Sequence, residues 1–587
     1  MMKASRSSIS RRLVASLTLL LGCLTLIGCQ APAGNTNQNT NDNSNSNANA
    51  NDNTNDNGNV NDNVSVPGEP LSNFITSSFS GAGQCAICHT DIFDEADNDV
   101  SIDEDWRSTM MANAAKDPFF LAAVAHEVDQ APEALREVIE DTCANCHMGM
   151  AHQQAGADGT PALILDEGFL DPDNPLHEAA RDGVSCTLCH QIRDTNLGEP
   201  ESFSGGYVID TTLTGIDRDI YTPFSAPQVN QMQATVAFTP VQSEHISQAG
   251  LCATCHTLFT PTIDEDGNII GEFPEQTPFL EWLHSDFGDG VGSDTTCQQC
   301  HMPAAVGGVA TSNVGNPAPR PRFSRHQFAA GNVFMLRLLR DNIEALGLSA
   351  STENFNATID RAIAFLENST ARVDITSADV TGQTLSVDVL VTNLTGHKFP
   401  TGFPSRRAWI HLTVTDADGV AIFESGAPQD DGKITGAAAD DDPSTFEPHY
   451  DLITASDEVQ IYEPIMRNNH GEVTYTLLRA LEYAKDNRLL PAGFDKSDAD
   501  EDIAVYGAAA HDNDFVGGGD EVEYRIDVTG FAPPFTIDAE LLFSSVSPAF
   551  VAEIRQADET LITSFGAMYD EADQTPSLIA SDMQTVE

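Results

Sequence analysis

Ten of the chain's cysteines fall in five pairs with one spacing, and each pair is followed directly by a histidine. The segments are Cys85-Ala-Ile-Cys88-His89, Cys143-Ala-Asn-Cys146-His147, Cys186-Thr-Leu-Cys189-His190, Cys252-Ala-Thr-Cys255-His256 and Cys297-Gln-Gln-Cys300-His301. The C-x-x-C-H spacing is typical of covalent haem attachment. Two thiols can bind the porphyrin, and the adjacent imidazole can bind the iron. We therefore predict five covalently bound haem c groups with these five histidines as proximal iron ligands.

Two other kinds of cysteine site explain the pattern less well. A structural zinc site needs four ligands, usually from two cysteine pairs, and five pairs leave one unmatched. Redox-active disulfides account for the cysteines but not for the histidine that follows every pair.

The second axial ligand of each iron decides what the haems can do. Outside the motifs, the same region has six histidines: His126, His152, His177, His245, His284 and His326. Six candidates for five irons permit histidine on both faces of every iron, which favours low-potential haems suited to electron transfer. Each of the six can instead be an ordinary core or surface histidine.

Two methionines offer another axial ligand. Met110 and Met111 follow Trp106 after the first motif, much as His284 follows Trp282 after the fourth. If these segments are a degenerate repeat, a methionine binds the first iron and raises its potential. The alternative is that both methionines fill the core under a porphyrin ring.

Short clusters of arginine suggest partners for haem carboxylates. Arg320, Arg322 and Arg325 lie just before His326 in a chain with few basic residues. Guanidinium groups bind carboxylates with two parallel hydrogen bonds, so haem propionates are one predicted partner. The protein's own carboxylates are an equally suitable alternative.

The pattern along the chain predicts a multidomain protein with a mainly α or irregular haem domain followed by a β-sandwich-like domain. The haem domain is predicted over 71–350, with short helices at the attachment sites and a longer helix over 106–128. A helical connector is predicted over 351–370. From 371 to 545 cysteine is absent and hydrophobic residues alternate, which favours strands. A helical insertion is predicted over 477–486, and a helix and tail over 546–587.

One loop of the predicted β-domain carries residues that could contact haem. It runs from Thr395 to Arg407 and is rich in glycine, proline, aromatic and cationic residues. His397 can bind an iron across the domain boundary, or Arg406 and Arg407 can pair with propionates. The alternative is a rigid turn, because proline and glycine punctuate loops for structural reasons.

The N-terminus has the layout of an export signal. Basic residues precede an apolar run that ends Leu26-Ile27-Gly28-Cys29, which resembles a lipoprotein cleavage site. We predict a signal peptide over 1–28, a lipid on Cys29 and an asparagine-rich flexible tether over 29–70. The protein is then exported to the periplasm or cell surface and held at a membrane by lipid alone.

The charge of the chain restricts its partners. The 587 residues include 88 acidic and 28 basic side chains, a net charge of −60. Nucleic acid is therefore excluded as a principal ligand, because phosphate binding needs clustered Lys and Arg. We predict redox proteins with a basic docking face as partners.

The motifs also resemble those of a known group. Together with the Trp106 and Trp282 segments, the segment 273–278 and the 396–402 loop, they look like bacterial multihaem c-type cytochromes, in particular the cytochrome c-554-like group. The resemblance supports the five motif histidines as iron ligands and favours His284 and His326 as distal ligands. Met110 and Met111 depart from the group's pattern, which often has histidine there.

Three functions fit these observations. The first is an electron carrier outside the cytoplasm, with every iron six-coordinate. The second is a multihaem oxidoreductase that acts on a small nitrogen or sulfur compound at a five-coordinate haem. The third is a surface interaction protein that binds its partner through the β-domain. Fold-level analogy contributes to the preference for the carrier.

Overall fold

The computed structural model describes residues 65–288 and 295–587. The predicted signal peptide, Cys29 and the tether up to residue 64 lie outside the described residues. No helix in the described part is long and apolar enough to cross a membrane.

The first half of the described chain consists mainly of short helices joined by loops. Its helices are Ala82–His89, Ile102–Trp106, Pro118–Asp129, Arg136–His147, Gly149–Asp158, His177–Arg181, Cys186–Cys189, Val229–Val236, Ala249–His256, Pro278–Leu283, Cys297–His301, Val333–Asp341, Ile343–Leu346 and Thr352–Ser369. Its strands form three two-stranded sheets: Asp219–Thr222 with Thr239–Gln242, Leu258–Ile263 with Ile269–Gln276, and Gly308–Val309 with Arg320–Pro321.

The helix predicted over 106–128 is interrupted. A first helix ends at Trp106, and the next begins at Pro118. A proline disfavours helical backbone at the residue before it, here Asp117. The Asp117 side chain also caps the new helix by accepting from the backbone N–H groups of Phe119 and Phe120. The segment between the two helices, which includes Met110 and Met111, forms turns instead.

The second half contains two larger sheets. One has the strand order Ala421–Ser425, Arg407–Thr415, Phe535–Ser544 and Ser577–Val586, and Ile461–Tyr462 also pairs with Arg407–Thr415. The other has the order Leu452–Ile453, Gly519–Asp527, Thr384–Asn393 and Ala371–Thr381. A smaller sheet joins Val473–Thr474, Pro464–Arg467 and Glu482–Asp486. The remaining helices are Ala438–Asp441, Pro548–Ile554 and Thr560–Glu571.

The two larger sheets share one apolar core. Leu385, Val387 and Val389 are fully buried on one sheet, and Ile410 and Leu412 are fully buried on the other. These residues alternate with more exposed ones, as expected for strands with one buried face. Helices Val333–Asp341 and Thr352–Ser369 add apolar side chains to the same core, so the sheets are packed firmly against the helical part.

Two predicted elements differ from the structure. The segment predicted as a helix over 477–486 has one 3₁₀ turn, Leu477–Arg479, and then the strand Glu482–Asp486. This strand pairs with Pro464–Arg467, so long-range pairing overrides the local preference. The predicted tail contains the strand Ser577–Val586, which completes a sheet by pairing with Phe535–Ser544.

Candidate haem-binding site

All five C-x-x-C-H motifs line one continuous cavity. The cavity has a volume of about 1340 Å³ and contacts every cysteine and histidine of the motifs. Aromatic side chains, including Trp106, Phe120, Phe279, Trp282 and Phe328, form part of its wall. Such a wall suits a large, flat and mainly apolar group.

Short helices position the motifs along this wall. Four of them end on the motif histidine, at His89, His147, His256 and His301, and the helix Cys186–Cys189 ends one residue before His190. One helical turn places the two thiols and the following imidazole on neighbouring positions of the cavity surface. The local sequence therefore presents each motif as a unit.

Hydrogen bonds fix the orientation of most motif histidines. Nδ1 of His89, His190 and His301 lies 2.7, 2.6 and 2.6 Å from the carbonyl oxygens of Thr311, Tyr221 and Ala329. Nδ1 of His147 lies 3.3 Å from the carbonyl oxygen of Ala114. A carbonyl can only accept, so Nδ1 carries the proton and Nε2 keeps its lone pair. This is the arrangement of a histidine that binds a metal through Nε2.

Burial also keeps these rings neutral. Burial lowers the pKa of His147 and of His256 to about 4, and it lowers the pKa of His89, His190 and His301 as well. A neutral imidazole is the form that binds a metal. The five rings are therefore in the ligating form at neutral pH.

The motifs adjoin one another through their thiols. Interaction with the neighbouring thiol raises the pKa of Cys85 beside Cys186, of Cys146 beside Cys255 and of Cys252 beside Cys297. Electrostatic contact with Cys255 also raises the pKa of Cys189, after the larger effect of burial. The first motif thus adjoins the third, the third adjoins the fourth, and the fourth adjoins both the second and the fifth.

Two motif histidines face a second histidine across the cavity. The rings of His190 and His326 have centroids 6.2 Å apart and planes 21° apart. The rings of His301 and His397 have centroids 6.4 Å apart and planes 11° apart. Two imidazoles that bind one metal at about 2 Å from each nitrogen have centroids roughly 6 Å apart. The ring separation of both pairs is therefore compatible with a single iron between them.

The other predicted histidines do not line the cavity. His245 is buried, and its ring nitrogens lie 2.6 Å from Ser243 Oγ and 2.8 Å from the Ile192 carbonyl oxygen. His152 Nε2 lies 3.1 Å from Asp141. His126 bonds to the Thr476 hydroxyl, and His177 bonds to the Phe169 carbonyl oxygen. His284 bonds to the Leu280 carbonyl oxygen. The geometry thus favours His326, as the family resemblance did, but not His284.

Met110 and Met111 both line the cavity. Met110 also packs against two apolar clusters, one of which includes Phe119 and Phe565. The carbonyl oxygen of Met111 accepts from Val184 N, next to the third motif. Their positions are compatible with either predicted role, axial ligand or core residue.

The arginines predicted to bind propionates divide into two groups. Arg325 makes a two-pronged ion pair with Asp105, and Arg407 makes one with Asp440. Arg320 donates to the carbonyl oxygens of Ser225 and Ala226. These three side chains already have protein acceptors, whereas Arg322 is exposed at the cavity wall.

Arg406, which was also predicted to bind a propionate, and Arg361, which was not, line the cavity without an ion-pair partner among the described residues. Arg406 donates to the Thr401 carbonyl oxygen at 2.6 Å, and among the described residues no carboxylate lies within ion-pair distance of it. Burial lowers its pKa to about 10. Arg361 donates to Thr358, but its buried Nε has no partner in the described part of the chain. Arg361 was not predicted as a haem contact because an isolated basic residue in a helix has no distinguishing pattern in the sequence.

A buried network of charges holds the loop that carries His397. Lys398 Nζ lies 2.6 Å from Asp486, and the Arg488 guanidinium lies 2.8 Å from Asp486 and 2.9 Å from Glu281. Glu281 also accepts from the backbone N–H of Lys398 at 3.1 Å. These four side chains are at most 3% exposed. The network therefore connects the loop to the helix Pro278–Leu283 and to the strand Glu482–Asp486.

The loop also approaches that helix closely. A side chain at Gly396 would meet Phe287 at 3.2 Å and Trp282 at 3.3 Å. Glycine permits this contact because it has no Cβ, and His397 is thereby held at the cavity.

Comparisons with known proteins find one partial sequence relative. No family model matches the chain. The chain is 24% identical over 170 residues to the C-type polyheme cytochrome OmcC of Geobacter sulfurreducens, which is 28% of this chain and 18% of that protein. The chain thus matches less than a fifth of its relative's length. A penta-heme cytochrome c552 from Thermochromatium tepidum covers 83% of this chain with 16% identity and a TM-score of 0.46, and the alignment includes 96% of that structure. Part of this chain is therefore related in sequence to a polyhaem c-type cytochrome.

Proposed function

We propose that the protein is an extracytoplasmic c-type cytochrome that binds five haems and transfers electrons between redox partners. The observation that carries this proposal is the single cavity lined by all five motifs. Bound haem would supply one-electron redox chemistry at its iron. The similarity to a polyheme cytochrome supports the same class.

The chain's own residues would have distinct roles in this function. The ten motif cysteines hold the haems covalently, and the five motif histidines are the proximal ligands. His326 and His397 are proposed as the second ligands at the third and fifth motifs, because their rings lie opposite His190 and His301. Arg361 and Arg406 are proposed to neutralise haem carboxylates, because both line the cavity and neither has an ion-pair partner among the described residues.

The contacts between motifs support a carrier. Because each motif has a thiol close to a thiol of another motif, the five attachment sites form one connected set in which the fourth motif adjoins the second, third and fifth. A carrier needs closely spaced redox centres, and no attachment site stands apart from the others.

A redox titration of the haem-loaded chain tests this proposal. We expect reduction to take up five electrons per chain, and we expect an external acceptor to reoxidise all of them. The irons at the third and fifth motifs should contribute low-spin signals that cyanide and nitrite leave unchanged, because a second histidine lies opposite the motif histidine at each. A high-spin component that binds these ligands would instead favour the oxidoreductase alternative.

The acidic surface leads to a prediction about partners. With 88 acidic and 28 basic side chains, the protein should associate fastest with a basic redox partner. Salt screens such attraction over about 8–10 Å at physiological ionic strength. Stopped-flow measurements should therefore give an association rate with basic cytochrome c that falls at least about tenfold between low and high salt. A rate that does not change with salt would contradict electrostatic docking.

Export and lipid attachment at Cys29 remain part of the proposal. Membrane fractionation of cells that express the whole chain, compared with a Cys29→Ser variant, tests them. We expect the chain to be in the membrane fraction and the variant to be in the soluble fraction.

A further inference from the structure

A second group of ionisable side chains lies in the β-domain, away from the haem cavity. Asp520 lies on the strand Gly519–Asp527, Asp512 and Asp514 lie in the preceding loop, and His449 and Asp451 precede the strand Leu452–Ile453. Donor atoms of His449, Asp512 and Asp520 lie within 4.8 Å of one another. So do carboxylate oxygens of Asp451, Asp512 and Asp514.

Asp520 has an unused acceptor at the centre of this group. The residue is 0% exposed. Its Oδ2 accepts from the Tyr462 hydroxyl at 2.8 Å and from Gln460 Nε2 at 3.1 Å. Its Oδ1 has no hydrogen-bond partner in the described part of the chain and lies 3.8 Å from His449 Nε2. A buried carboxylate oxygen without a partner is costly, so a ligand is expected there.

His449 is arranged to support the carboxylates rather than to bind a metal. Its Nδ1 accepts from Gln460 Nε2 at 2.8 Å and from Asn487 Nδ2 at 3.1 Å. The oxygens of both amides accept from backbone N–H groups, which fixes the orientation of the amides. Nε2 of the neutral ring therefore carries the proton and donates to Asp512 Oδ2 at 2.9 Å. The group is left with oxygen ligands only.

The local cations do not neutralise these carboxylates. Lys496 Nζ donates to the backbone carbonyl oxygens of Ala509 and Asp512. Lys485 Nζ pairs with Glu463 at 3.1 Å. Four carboxylates, of Asp451, Asp512, Asp514 and Asp520, thus share one small region without a side-chain cation between them among the described residues.

We propose that this group binds a calcium ion. Asp512 and Oδ1 of Asp520 would be the buried ligands of the ion. The exposed Asp451 and Asp514 would supply further carboxylate ligands on the side that faces solvent. Calcium accepts six to eight oxygen ligands in flexible geometry, whereas magnesium needs a stricter octahedron. Zinc prefers nitrogen or sulfur ligands, which this site does not offer. The ion would join two loops to a sandwich strand.

Calorimetry on the haem-loaded full-length chain tests the proposal. The protein is treated with a chelator and dialysed, then titrated separately with CaCl₂, MgCl₂ and ZnCl₂, and its thermal unfolding is followed by far-ultraviolet circular dichroism. We expect one calcium per chain with a dissociation constant of about 10⁻⁴ to 10⁻³ M, the range of extracellular calcium sites. Calcium at ten times that value should raise the unfolding temperature, because only the folded chain binds it.

Two substitutions make the test specific. Asp520→Asn removes the inner charge and should weaken calcium binding at least about tenfold. Asp418→Asn, at an exposed hairpin residue, is the matched control and should bind as the unchanged chain does. Asp520→Asn should fold without calcium, since the substitution removes a buried charge.

The opposite results would overturn the proposal. One is a chelator-treated chain that neither binds calcium nor changes its unfolding temperature. Another is an Asp520→Asn variant that responds to calcium like the control. Preferential zinc binding that is lost in His449→Asn would show that the site is not an oxygen site for calcium.

Discussion

Under the proposed function, replacing His397 by alanine is expected to leave one of the five irons without its second histidine. The ring of His397 lies opposite His301 with nearly parallel planes, and its Nδ1 makes only local contacts, with the backbone carbonyl oxygen of Lys398 at 2.8 Å and with Thr395 Oγ1 at 3.4 Å. The variant should therefore fold and keep five haems. Its oxidised optical and electron paramagnetic resonance spectra should gain a high-spin signal equivalent to about one haem in five.

Two further variants make this result interpretable. His511→Ala removes an exposed histidine and should leave the spectra unchanged. His397→Met should restore a low-spin spectrum with one raised potential, because methionine ligation raises the potential of haem. A His397→Ala protein with five haems and an unchanged spectrum would contradict axial ligation by the β-domain.

Replacing Asp486 by alanine is expected to cause the largest loss of stability. The change leaves Lys398 and Arg488 buried without their shared carboxylate. Removal of one partner from a buried ion pair costs about 3–5 kcal/mol. The free energy of unfolding in denaturant should fall by about that amount, while Asp498→Ala, at an exposed residue, should change it by less than about 0.5 kcal/mol.

The same network gives a pH dependence. Burial opposes ionisation of Asp486, but Arg488 and Lys398 lower its pKa to about 2. In the unfolded chain this pKa is about 4. The stabilisation is therefore present above pH 4 and is lost as the pH falls toward 2. A loss of stability in Asp486→Ala that is as large at pH 2 as at pH 7 would show that the carboxylate charge is not responsible.

The sequence revealed the motifs because their residues are neighbours in the chain. Cys85, Cys88 and His89 lie within one helical turn, so their spacing alone predicts a shared ligand. The alternation of Leu385, Val387 and Val389 similarly predicts a strand with one buried face, and the structure confirms it. Local patterns of this kind depend on contacts between near neighbours.

The histidines proposed as second ligands were harder to choose because their pairing is long-range. His397 is 96 residues from His301, and only the packing of the loop against the helix Pro278–Leu283 brings the rings together. His284 has a suggestive tryptophan before it, but its ring bonds to the carbonyl oxygen of its own helix. No periodic pattern in the sequence distinguishes these two cases.

The buried charges gave no sequence signal at all. Lys398, Asp486 and Glu281 are single charged residues in separate segments, and such residues usually face solvent. Their burial depends on the pairing of the strand Glu482–Asp486. The sequence pattern wrongly predicts a helix for this segment. Asp520 likewise resembles any polar residue at the start of a strand.

The number of haems per chain tests the central claim most directly. Intact-mass spectrometry of the purified protein, combined with pyridine haemochrome absorbance, gives that number. The proposed function predicts five covalent haems, and four in a chain with Cys186→Ser and Cys189→Ser. A mature chain with fewer than five haems, or with zinc or disulfides on the motif cysteines, would contradict it.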